Sequence, residues 1–336
     1  MKLYIAGGCG EHGRNCFLVQ TSTIQFLVDC GLMADEVGGG YPRLDKEIIP
    51  QIDYIFLTHS HLDHTGAYPW LVKNGFKGKL IATKETLNQL SFKFNDYLYL
   101  EDLKQLGNLK ICYGKSGHCL GSVWYQFENE GKTILFSGDY SENTLVYSFD
   151  EIINRTADLA VIDCAYGKDI RPYEMYCELF VQEVDMLNKQ YNQILLPVPK
   201  YGRGLELYAL LKEKLPHLNY AADLHFINQV KRSLSSDCRK ILDTNVELYK
   251  QDCRADIVFV SNPQLKTEES KKIAKEVIKH GFALMTGTVE SGTYSANLIQ
   301  KNKMKVIRYP VHLNEKQYLE ILNKNNFKRA IAYHCP

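Results

Sequence analysis

The chain has 336 residues, of which 45% are hydrophobic, so it can bury a substantial core in one large or two medium-sized domains. Forty basic and 39 acidic residues leave a net charge of +1, which excludes nucleic-acid binding through overall charge and leaves only a local patch for that purpose. No window approaches about eighteen uninterrupted apolar residues and the first residues lack the apolar stretch of a signal peptide, so we expect a cytoplasmic protein without a membrane span.

The ten cysteines follow neither a disulfide nor a zinc-knuckle pattern. None belongs to a C-x-x-C pair, and several, including Cys16, Cys112 and Cys164, lie inside apolar runs. Free thiols in such surroundings are typical of proteins kept in a reducing compartment. We therefore expect reduced cysteines and a fold that does not depend on disulfides.

The chain begins with a pattern of short strands around a glycine-rich loop. Three strands, separated by turns, are predicted at residues 3–6, 16–20 and 24–29. The loop at 7–15 carries four glycines, and it fits either a hairpin turn or backbone that comes close to a metal site. His12 lies in this loop, but the ligand set described below is complete without it. Asp29 ends the third strand, where a carboxylate can orient a histidine ligand from behind.

The segment at 58–66, Thr-His-Ser-His-Leu-Asp-His-Thr-Gly, follows a short apolar strand. Three imidazoles and one carboxylate are poor choices for a plain turn, but they are good ligands for a zinc-like dication. Alternate side chains of an extended segment share a face, so His59 and His61 can point at one metal ion. The chain then turns into a helix, which lets Asp63 and His64 serve a second metal ion.

Further ligand candidates lie at the ends of later strands. The pattern predicts helices at 67–75 and 84–106 and strands at 54–57, 79–82 and 109–113. His118 lies in a glycine-flanked loop between two strands, which favours it as the third ligand of the first metal ion. The strand at 132–136 ends in a Gly-Asp turn, where Asp139 fits a carboxylate that bridges two metal ions. Asp163 ends the next strand, at 158–163.

From about residue 165 the pattern changes to alternating helices and short apolar strands. Helices are predicted at 173–187, 204–215, 224–234 and 268–280, and strands at 193–198, 256–260 and 282–286. This alternation is typical of a parallel sheet covered on both faces, and it predicts a second α/β lobe. The last elements are a strand at 306–309, a helix at 314–325 and a strand at 328–333. The first half instead indicates a layered α/β sandwich whose site lies at one edge of its sheets.

Motifs spread over the whole chain resemble those of one protein family. They are the glycine-rich loop at 7–13, Asp29, the H-x-H-x-D-H segment, the loop at 116–121, the Ser137-Gly138-Asp139 turn, and segments at 194–207 and 286–293. Asp163, His312 and His334 stand in the places of three further motifs. On these residues the chain resembles the β-CASP branch of the metallo-β-lactamase superfamily. That branch includes bacterial ribonuclease J and the endonuclease that cleaves pre-mRNA at its 3′ end.

The resemblance implies an α/β fold built as a metallo-β-lactamase αββα sandwich with an inserted α/β lobe. The sandwich is expected at 1–164 and 308–336, and the inserted β-CASP domain at 165–307. We expect a shortened member, because this lobe is shorter than in familiar members and the chain stops two residues after His334. Asn314 stands where the family usually has an aspartate, which leaves the histidine of that motif less firmly oriented.

The resemblance also implies a dinuclear site with two zinc ions per chain and a shared hydroxide as the nucleophile. The first zinc is assigned to His59, His61 and His118, the second to Asp63, His64 and His334, and Asp139 bridges both. Asp63 and Asp163 are further expected to act in catalysis. His312 is the candidate general acid for the leaving ribose oxygen, with Asp163 as its orienting partner.

Basic residues are the candidates for substrate contacts. Lys200 and Arg203, together with Lys168 and Arg171, lie in segments expected to face a cleft between the two lobes, where they can meet phosphates. A single strand of nucleic acid can thread such a cleft. The expected partner is therefore single-stranded RNA, and the sequence leaves open whether a second copy or another protein binds as well.

The leading prediction is a zinc-dependent phosphodiester hydrolase, a ribonuclease acting on single-stranded RNA. His334 favours RNA, because RNA-processing members of the branch carry histidine at that motif. The sequence leaves three alternatives open: a small-molecule metallo-hydrolase of thioesterase or lactonase type, a DNA nuclease of the same branch, and an RNA-binding protein with weak activity. It also leaves open whether cleavage is internal or from an end.

Overall fold

The computed structural model describes residues 1–33, 40–235, 238–239, 242 and 244–335. The strands, in chain order, are β1 (Lys2–Gly7), β2 (Cys16–Gln20), β3 (Gln25–Val28), β4 (Tyr54–Phe56), β5 (Lys79–Ala82), β6 (Tyr97–Tyr99), β7 (Gln105–Leu106), β8 (Leu109–Lys115), β9 (Val123–Asn129), β10 (Lys132–Phe136), β11 (Thr156–Ala157), β12 (Leu159–Asp163), β13 (Ile194–Pro197), β14 (Tyr220–Ala222), β15 (Glu247–Leu248), β16 (Ile257–Val260), β17 (Phe282–Met285), β18 (Met304–Val306), β19 (Asn326–Phe327) and β20 (Ala330–Tyr333). The helices are α1 (Leu62–Thr65), α2 (Tyr68–Lys73), α3 (Lys84–Gln89), α4 (Tyr173–Gln190), α5 (Arg203–Lys214), α6 (Leu224–Ser235), α7 (Glu268–Ile278), α8 (Tyr294–Gln300) and α9 (Glu315–Asn323).

The chain folds into two compact units. The first comprises Met1–Glu142, Phe149–Ile170 and His312–Pro336, and the second comprises Asn143–Ser148 and Arg171–Val311. The short stretch Asn143–Ser148 thus leaves the first unit and packs with the second. In the part of the chain that the structure describes, every helix is too short or too polar to span a membrane.

The first unit contains two sheets that share one core. One sheet has the strand order β1-β2-β3-β4-β5-β6, and the other has the order β20-β12-β10-β9-β8-β7. Aromatic rings from both sheets interlock between them, with the Phe127 ring of β9 centred 4.8 Å from the rings of Phe26 and Phe56. Because successive side chains of a strand alternate in direction, each sheet has a second face to cover.

Helices cover the outer faces of both sheets. Leu27 and Ile55 pack with Leu71 of α2 on the outer face of the first sheet. Ile162 packs with Ile321 of α9 on the outer face of the second. These four layers confirm the αββα sandwich predicted from the sequence.

Parallel pairing within this unit brings several strand ends to one edge. β12 pairs in parallel with both β10 and β20, and β4 pairs in parallel with β3. Most of the predicted ligands follow β4, β10 and β20, and Asp163 is the last residue of β12. The carboxyl ends of parallel strands are the usual place for a site in sheets of this kind.

The helix predicted at 84–106 is wrong. α3 ends at Gln89, and the chain then runs through an irregular stretch into β6. Phe94 packs on the outer face of the first sheet, whereas Leu98 pairs beside Ile81 and contacts the core between the sheets. Phe94 and Leu98 are four residues apart because the chain passes from one core to the other between them. The same spacing is typical of one face of a helix, which explains the wrong prediction.

The second unit is built on a parallel sheet, as the sequence predicted. Its strand order is β15-β14-β16-β13-β17-β18, and all neighbours are parallel. Leu195, Val258 and Ala283 of three central strands pack with Val277 of α7. The last strand is Met304–Val306, two to three residues earlier than the predicted 306–309.

A buried glutamate holds the stretch Asn143–Ser148 in the second unit. Glu206 of α5 is 2% exposed. Its Oε1 accepts hydrogen bonds from Thr144 Oγ1 (2.5 Å) and Val146 N (3.0 Å), and its Oε2 accepts one from Leu145 N (2.7 Å). Burial raises the pKa of this carboxyl above its usual range, although the hydrogen bonds act in the opposite direction.

Glu206→Ala is expected to lower the free energy of unfolding by about 3 kcal/mol or more, because buried donors left without an acceptor cost roughly 1–3 kcal/mol each. Urea unfolding followed by circular dichroism measures the change. The matched control is Glu213→Ala, which removes an exposed carboxylate from the same helix and should change stability by less than about 0.5 kcal/mol. Equal stability of both variants would show that the carboxylate does not anchor this stretch.

Candidate metal centre

The seven predicted ligands converge at one edge of the first unit. They follow β4 (His59, His61, Asp63 and His64), connect β8 to β9 (His118), and follow β10 (Asp139) and β20 (His334). Asp63 and His64 belong to α1, a single helical turn that begins directly after the extended His61. This change from extended chain to helix turns the two pairs of side chains in different directions, as the spacing predicted.

The first ligand group consists of His59, His61, His118 and Asp139. His61 Nδ1 lies 3.1 Å from His59 Nε2 and 3.2 Å from His118 Nε2. Asp139 Oδ2 lies 3.5 Å from His59 Nε2 and 3.6 Å from His118 Nε2. Three ring nitrogens and one carboxylate oxygen therefore surround a single point.

The second ligand group consists of Asp63, His64, His334 and again Asp139. Asp139 Oδ1 lies 3.1 Å from His64 Nε2 and 3.2 Å from His334 Nδ1. Asp63 Oδ2 lies 3.2 Å from His334 Nε2 and 3.8 Å from His64 Nε2. This group is as compact as the first.

Asp139 belongs to both groups and presents a different oxygen to each. Its Oδ2 faces the first group and its Oδ1 faces the second. The side chain is 1% exposed, and Tyr333 Oη donates a hydrogen bond of 3.3 Å to Oδ1. A carboxylate fixed in this way occupies the position that a bridging ligand requires.

Burial and opposite charges both act on the titration of these groups. Burial lowers the pKa of His59 well below its usual range. Burial opposes the charged forms of His64 and His334. The carboxylates of Asp139 and Asp63 nevertheless raise the pKa of both histidines well above the usual range. Burial likewise opposes the charged form of Asp139, yet His64 and His334 hold its pKa well below the usual range.

The donor set fits two zinc-like cations. Two nitrogen ligands at about 2.0–2.1 Å from a tetrahedral zinc ion lie about 3.3 Å apart, close to the separations within the first group. In the second group, His334 Nδ1 is buried and lies 3.2 Å from Asp139 Oδ1 but lacks hydrogen-bond geometry, and a cation between the two atoms would satisfy both. Imidazole nitrogen and carboxylate oxygen are also the ligands that zinc takes in proteins with open catalytic sites.

Asp29 orients one of the ligands from behind, as its place at the end of β3 predicted. Its carboxylate accepts hydrogen bonds from Thr58 N (2.7 Å) and Thr58 Oγ1 (2.8 Å), and lies 2.7 Å from His64 Nδ1. A proton on His64 Nδ1 leaves the lone pair on Nε2, which faces Asp139. Asp29 is fully buried and has a φ of +61°, a left-handed conformation that aspartate and asparagine tolerate better than most residues.

Asp29→Asn is expected to weaken zinc binding roughly 10- to 100-fold, the scale found when the partner of a metal-binding histidine is removed. Asparagine keeps the backbone conformation but loses the charge that fixes the proton on His64. Competition with a chromophoric chelator measures the affinity. Asp53→Asn is the matched control, because Asp53 also accepts a backbone hydrogen bond, from Gln25 N at 2.8 Å, but is exposed. Unchanged affinity in Asp29→Asn would remove this role.

Two of the predicted catalytic residues, His312 and Asp163, lie beside the predicted ligands. His312 Nδ1 is 3.1 Å from Asp163 Oδ2 and 3.7 Å from Asp139 Oδ2. Asp163 is itself held by backbone, since its Oδ2 accepts from Tyr140 N (3.1 Å) and its Oδ1 from Ala165 N (3.0 Å). His312 is thus oriented by Asp163.

Asn314 performs a local role two residues after His312. Its side chain accepts a hydrogen bond from Gln317 N at 3.0 Å and closes a capping box at the start of α9. This cap fixes where the helix begins and therefore where the preceding loop leaves it. The orientation of His312 comes from the Asp163 carboxylate, while Asn314 holds the helix.

The glycine-rich loop at 7–15 is both a hairpin turn and a stretch of backbone close to the predicted ligands, the two possibilities that the sequence left open. It is the hairpin connection between β1 and β2, and it also approaches the site. Gly8 O accepts a hydrogen bond from His334 N (2.7 Å), and Asn15 Nδ2 lies 2.8 Å from His64 Nε2. Gly8 has a φ of +91°, and a Cβ there would lie 2.4 Å from Asn15 Oδ1, so only glycine fits.

Sequence reasoning missed two residues that support the ligands. Asn15 contacts His64, and Thr58 Oγ1 lies 3.0 Å from His59 Nδ1 while it donates to Asp29. Thr58 directly precedes the ligand segment, so its place at the end of β4 was the available signal. Asn15 carried no comparable signal, because its contact depends on how the hairpin folds back.

The predicted phosphate contacts are not part of the two ligand groups. Lys200 and Lys168 are exposed, and the Arg171 guanidinium lies 4.7 Å from the centre of the Tyr176 ring. Arg203 is the first residue of α5, and its Nε is buried without a hydrogen-bond partner.

The fold is a layered αββα sandwich, and two groups of possible metal ligands lie at one edge of it. A family model described as the metallo-beta-lactamase superfamily matches residues 9–173, the region that contains all the ligands except His334. Residues 9–173 therefore form a metallo-beta-lactamase domain, and the chain is similar to the relatives described next.

Three curated relatives illustrate the similarity. The chain is 26% identical to cleavage and polyadenylation specificity factor 73 of Drosophila melanogaster, over 76% of this chain and 42% of the relative. It is 28% identical to an RNase J-like protein of Methanocaldococcus jannaschii, over 61% of this chain and 53% of the relative. It is 22% identical to endoribonuclease YSH1 of Kluyveromyces lactis, over 76% of this chain and 38% of the relative. The chain spans about half, or less, of the length of these relatives.

One solved structure is similar over nearly the whole chain. It is a protein of unknown function from Enterococcus faecalis V583, with a TM-score of 0.63, 12% identity, and coverage of 99% of this chain and 93% of that one. At this identity the likeness shows the fold and carries no statement about activity.

Proposed function

We propose that the protein is a zinc-dependent phosphodiester hydrolase that cleaves single-stranded RNA. The observation that carries the proposal is the shared Asp139, which joins two compact ligand groups while the His312–Asp163 pair lies 3.7 Å away at its nearest atoms. Two metal ions at such a site lower the pKa of a water molecule and stabilise charge on a phosphate oxygen. The ligands are His59, His61 and His118 for one zinc, and Asp63, His64 and His334 for the other.

The chain's own residues supply the proton. With its Nδ1 directed at the Asp163 carboxylate, His312 leaves Nε2 for a leaving ribose oxygen. The negative charge of Asp163 stabilises the protonated ring before that proton is given up. Because backbone N–H groups hold Asp163, the ring is positioned in advance of substrate binding.

The choice of RNA is supported by the relatives, two of which are named as ribonucleases. The net charge of +1 means that binding depends on local groups, and Lys200 and Arg203 of the second unit are proposed to contact phosphates. A guanidinium such as that of Arg203 can offer a phosphate two N–H groups at once. A modest number of phosphate contacts predicts a modest loss of affinity as salt increases.

The test compares one base sequence made as single-stranded RNA and as single-stranded DNA, with a thioester as the small-molecule alternative. We expect the zinc-loaded protein to cleave the RNA and to leave the DNA and the thioester largely intact. His61→Ala, which loses a metal ligand, is the control for a contaminating nuclease. Equal rates on RNA and DNA would overturn the RNA assignment, and turnover of the thioester alone would overturn the nuclease assignment.

A further inference from the structure

His12 lies at the metal centre without belonging to either ligand group. Its ring centre is 5.6 Å from that of His334, and the two rings are inclined by 74°. His12 is exposed, unlike the buried ligands around it. Within the described part of the chain, neither the ligand groups nor any hydrogen bond occupies its ring nitrogens.

The ring of His12 continues a row of imidazoles along the site. The centres of His118 and His312 are 4.7 Å apart, those of His312 and His334 are 5.0 Å apart, and His12 follows at 5.6 Å from His334. His334 is therefore a neighbour of both the proposed proton donor His312 and His12. A substrate whose leaving oxygen lies at His312 is thus two ring contacts away from His12.

The loop that carries His12 is held in place. Glu11 accepts hydrogen bonds from Arg14 (2.8 and 2.7 Å), from Gly8 N (3.2 Å) and from Arg43 (2.9 Å). The next residue, Gly13, has a φ of +98°. An exposed ring on a loop fixed by these bonds loses little conformational entropy when it binds a ligand.

The ring of His12 can donate a hydrogen bond to an anion. The charged groups that act on it include His334, His312, Asp163 and Asp63. In either protonation state an imidazole carries at least one N–H group, which is a suitable donor for a phosphate oxygen. The two carboxylates are engaged by His312 and His334, at 3.1 and 3.2 Å, and His12 itself is exposed to solvent.

We infer that His12 is a substrate contact that donates a hydrogen bond to the phosphate next to the scissile one. This inference rests on the proposed ribonuclease function and adds a residue that binds the chain of the RNA beyond the metal centre. His12 contributes to the affinity for an oligonucleotide. The binding of zinc by the metal ligands does not require it.

Three substitutions separate the features of the ring. His12→Gln keeps an N–H donor, His12→Phe keeps a flat ring without a donor, and His12→Ala removes both. Each is made in the His312→Ala background, loaded with zinc, and binding of a fluorescein-labelled single-stranded RNA is measured by anisotropy. His217→Ala is the matched control, because His217 is an exposed histidine of the second unit. Zinc content is measured for every variant and should remain that of the parent.

We expect His12→Ala and His12→Phe to bind the RNA roughly tenfold more weakly, and His12→Gln to bind within about threefold of the parent. Parent-like binding by His12→Ala would overturn the inference and leave the proposed function intact. Parent-like binding by His12→Phe together with weak binding by His12→Gln would replace phosphate donation with base stacking. If the parent hydrolyses bis(p-nitrophenyl) phosphate but does not bind RNA, the RNA assignment fails and the role of His12 fails with it.

Discussion

Asp139→Asn is expected to lose nearly all bound zinc and to cleave RNA about 10⁴-fold more slowly or worse, the scale on which removal of an essential catalytic group acts. Asp139 faces His59 and His118 with one oxygen and His64 and His334 with the other. Asparagine removes the negative charge from both groups and replaces one acceptor oxygen with an N–H₂ donor, which repels a cation. Elemental analysis of the purified variant and its cleavage rate measure the two effects.

The matched control for this variant is Asp158→Asn. Asp158 lies just before β12, far along the strand from Asp163, and its carboxylate forms an exposed ion pair with Lys328 at 2.8 Å. This variant should keep the zinc content and the rate of the parent. If Asp139→Asn also retained both zinc equivalents, the bridging role would be wrong even if activity fell.

His312→Ala is expected to keep its zinc and to cleave RNA about 10²- to 10⁴-fold more slowly, the usual cost of losing a general acid. The ring lies beside the ligands, but its near nitrogen is directed at Asp163 at 3.1 Å. Removal of the ring therefore takes away a proton donor and leaves both ligand groups complete. Single-turnover cleavage and zinc content, measured on the same preparation, separate these effects.

Two further variants test the same prediction. Asp163→Asn should slow cleavage in the same direction, because the protonated His312 ring loses its charged partner. His280→Ala removes an exposed histidine of the second unit and should have no effect. A His312→Ala variant that cleaves as fast as the parent would assign proton delivery to water or to another residue.

The convergence of the predicted ligands could be expected from the sequence, because several of them are close neighbours in the chain. His59, His61, Asp63 and His64 lie within six residues, and the switch from extended chain to helix at α1 separates them into two groups. His118 was marked by its glycine-flanked loop. Such signals depend only on neighbouring residues, so they can be recognised without knowledge of the fold.

The contacts that were missed depend on distant parts of the chain. Asn15 reaches His64, and His12 reaches His334, only because the β1–β2 hairpin folds back toward the ends of β4 and β20. The helix predicted at 84–106 was wrong because the spacing of Phe94 and Leu98 cannot distinguish a helix from a chain that enters two cores. No periodic pattern in the sequence indicates that Asn143–Ser148 belongs to the second unit.

The most direct test of the account is an anomalous-scattering map recorded at the zinc absorption edge from crystals of the zinc-loaded protein. We predict two peaks about 3.5–4 Å apart, the separation of metal pairs in two-metal hydrolases. One peak should lie among His59, His61 and His118, the other among Asp63, His64 and His334, with Asp139 between them. A single peak, or peaks that do not contact Asp139, would contradict the dinuclear centre on which the proposed chemistry depends.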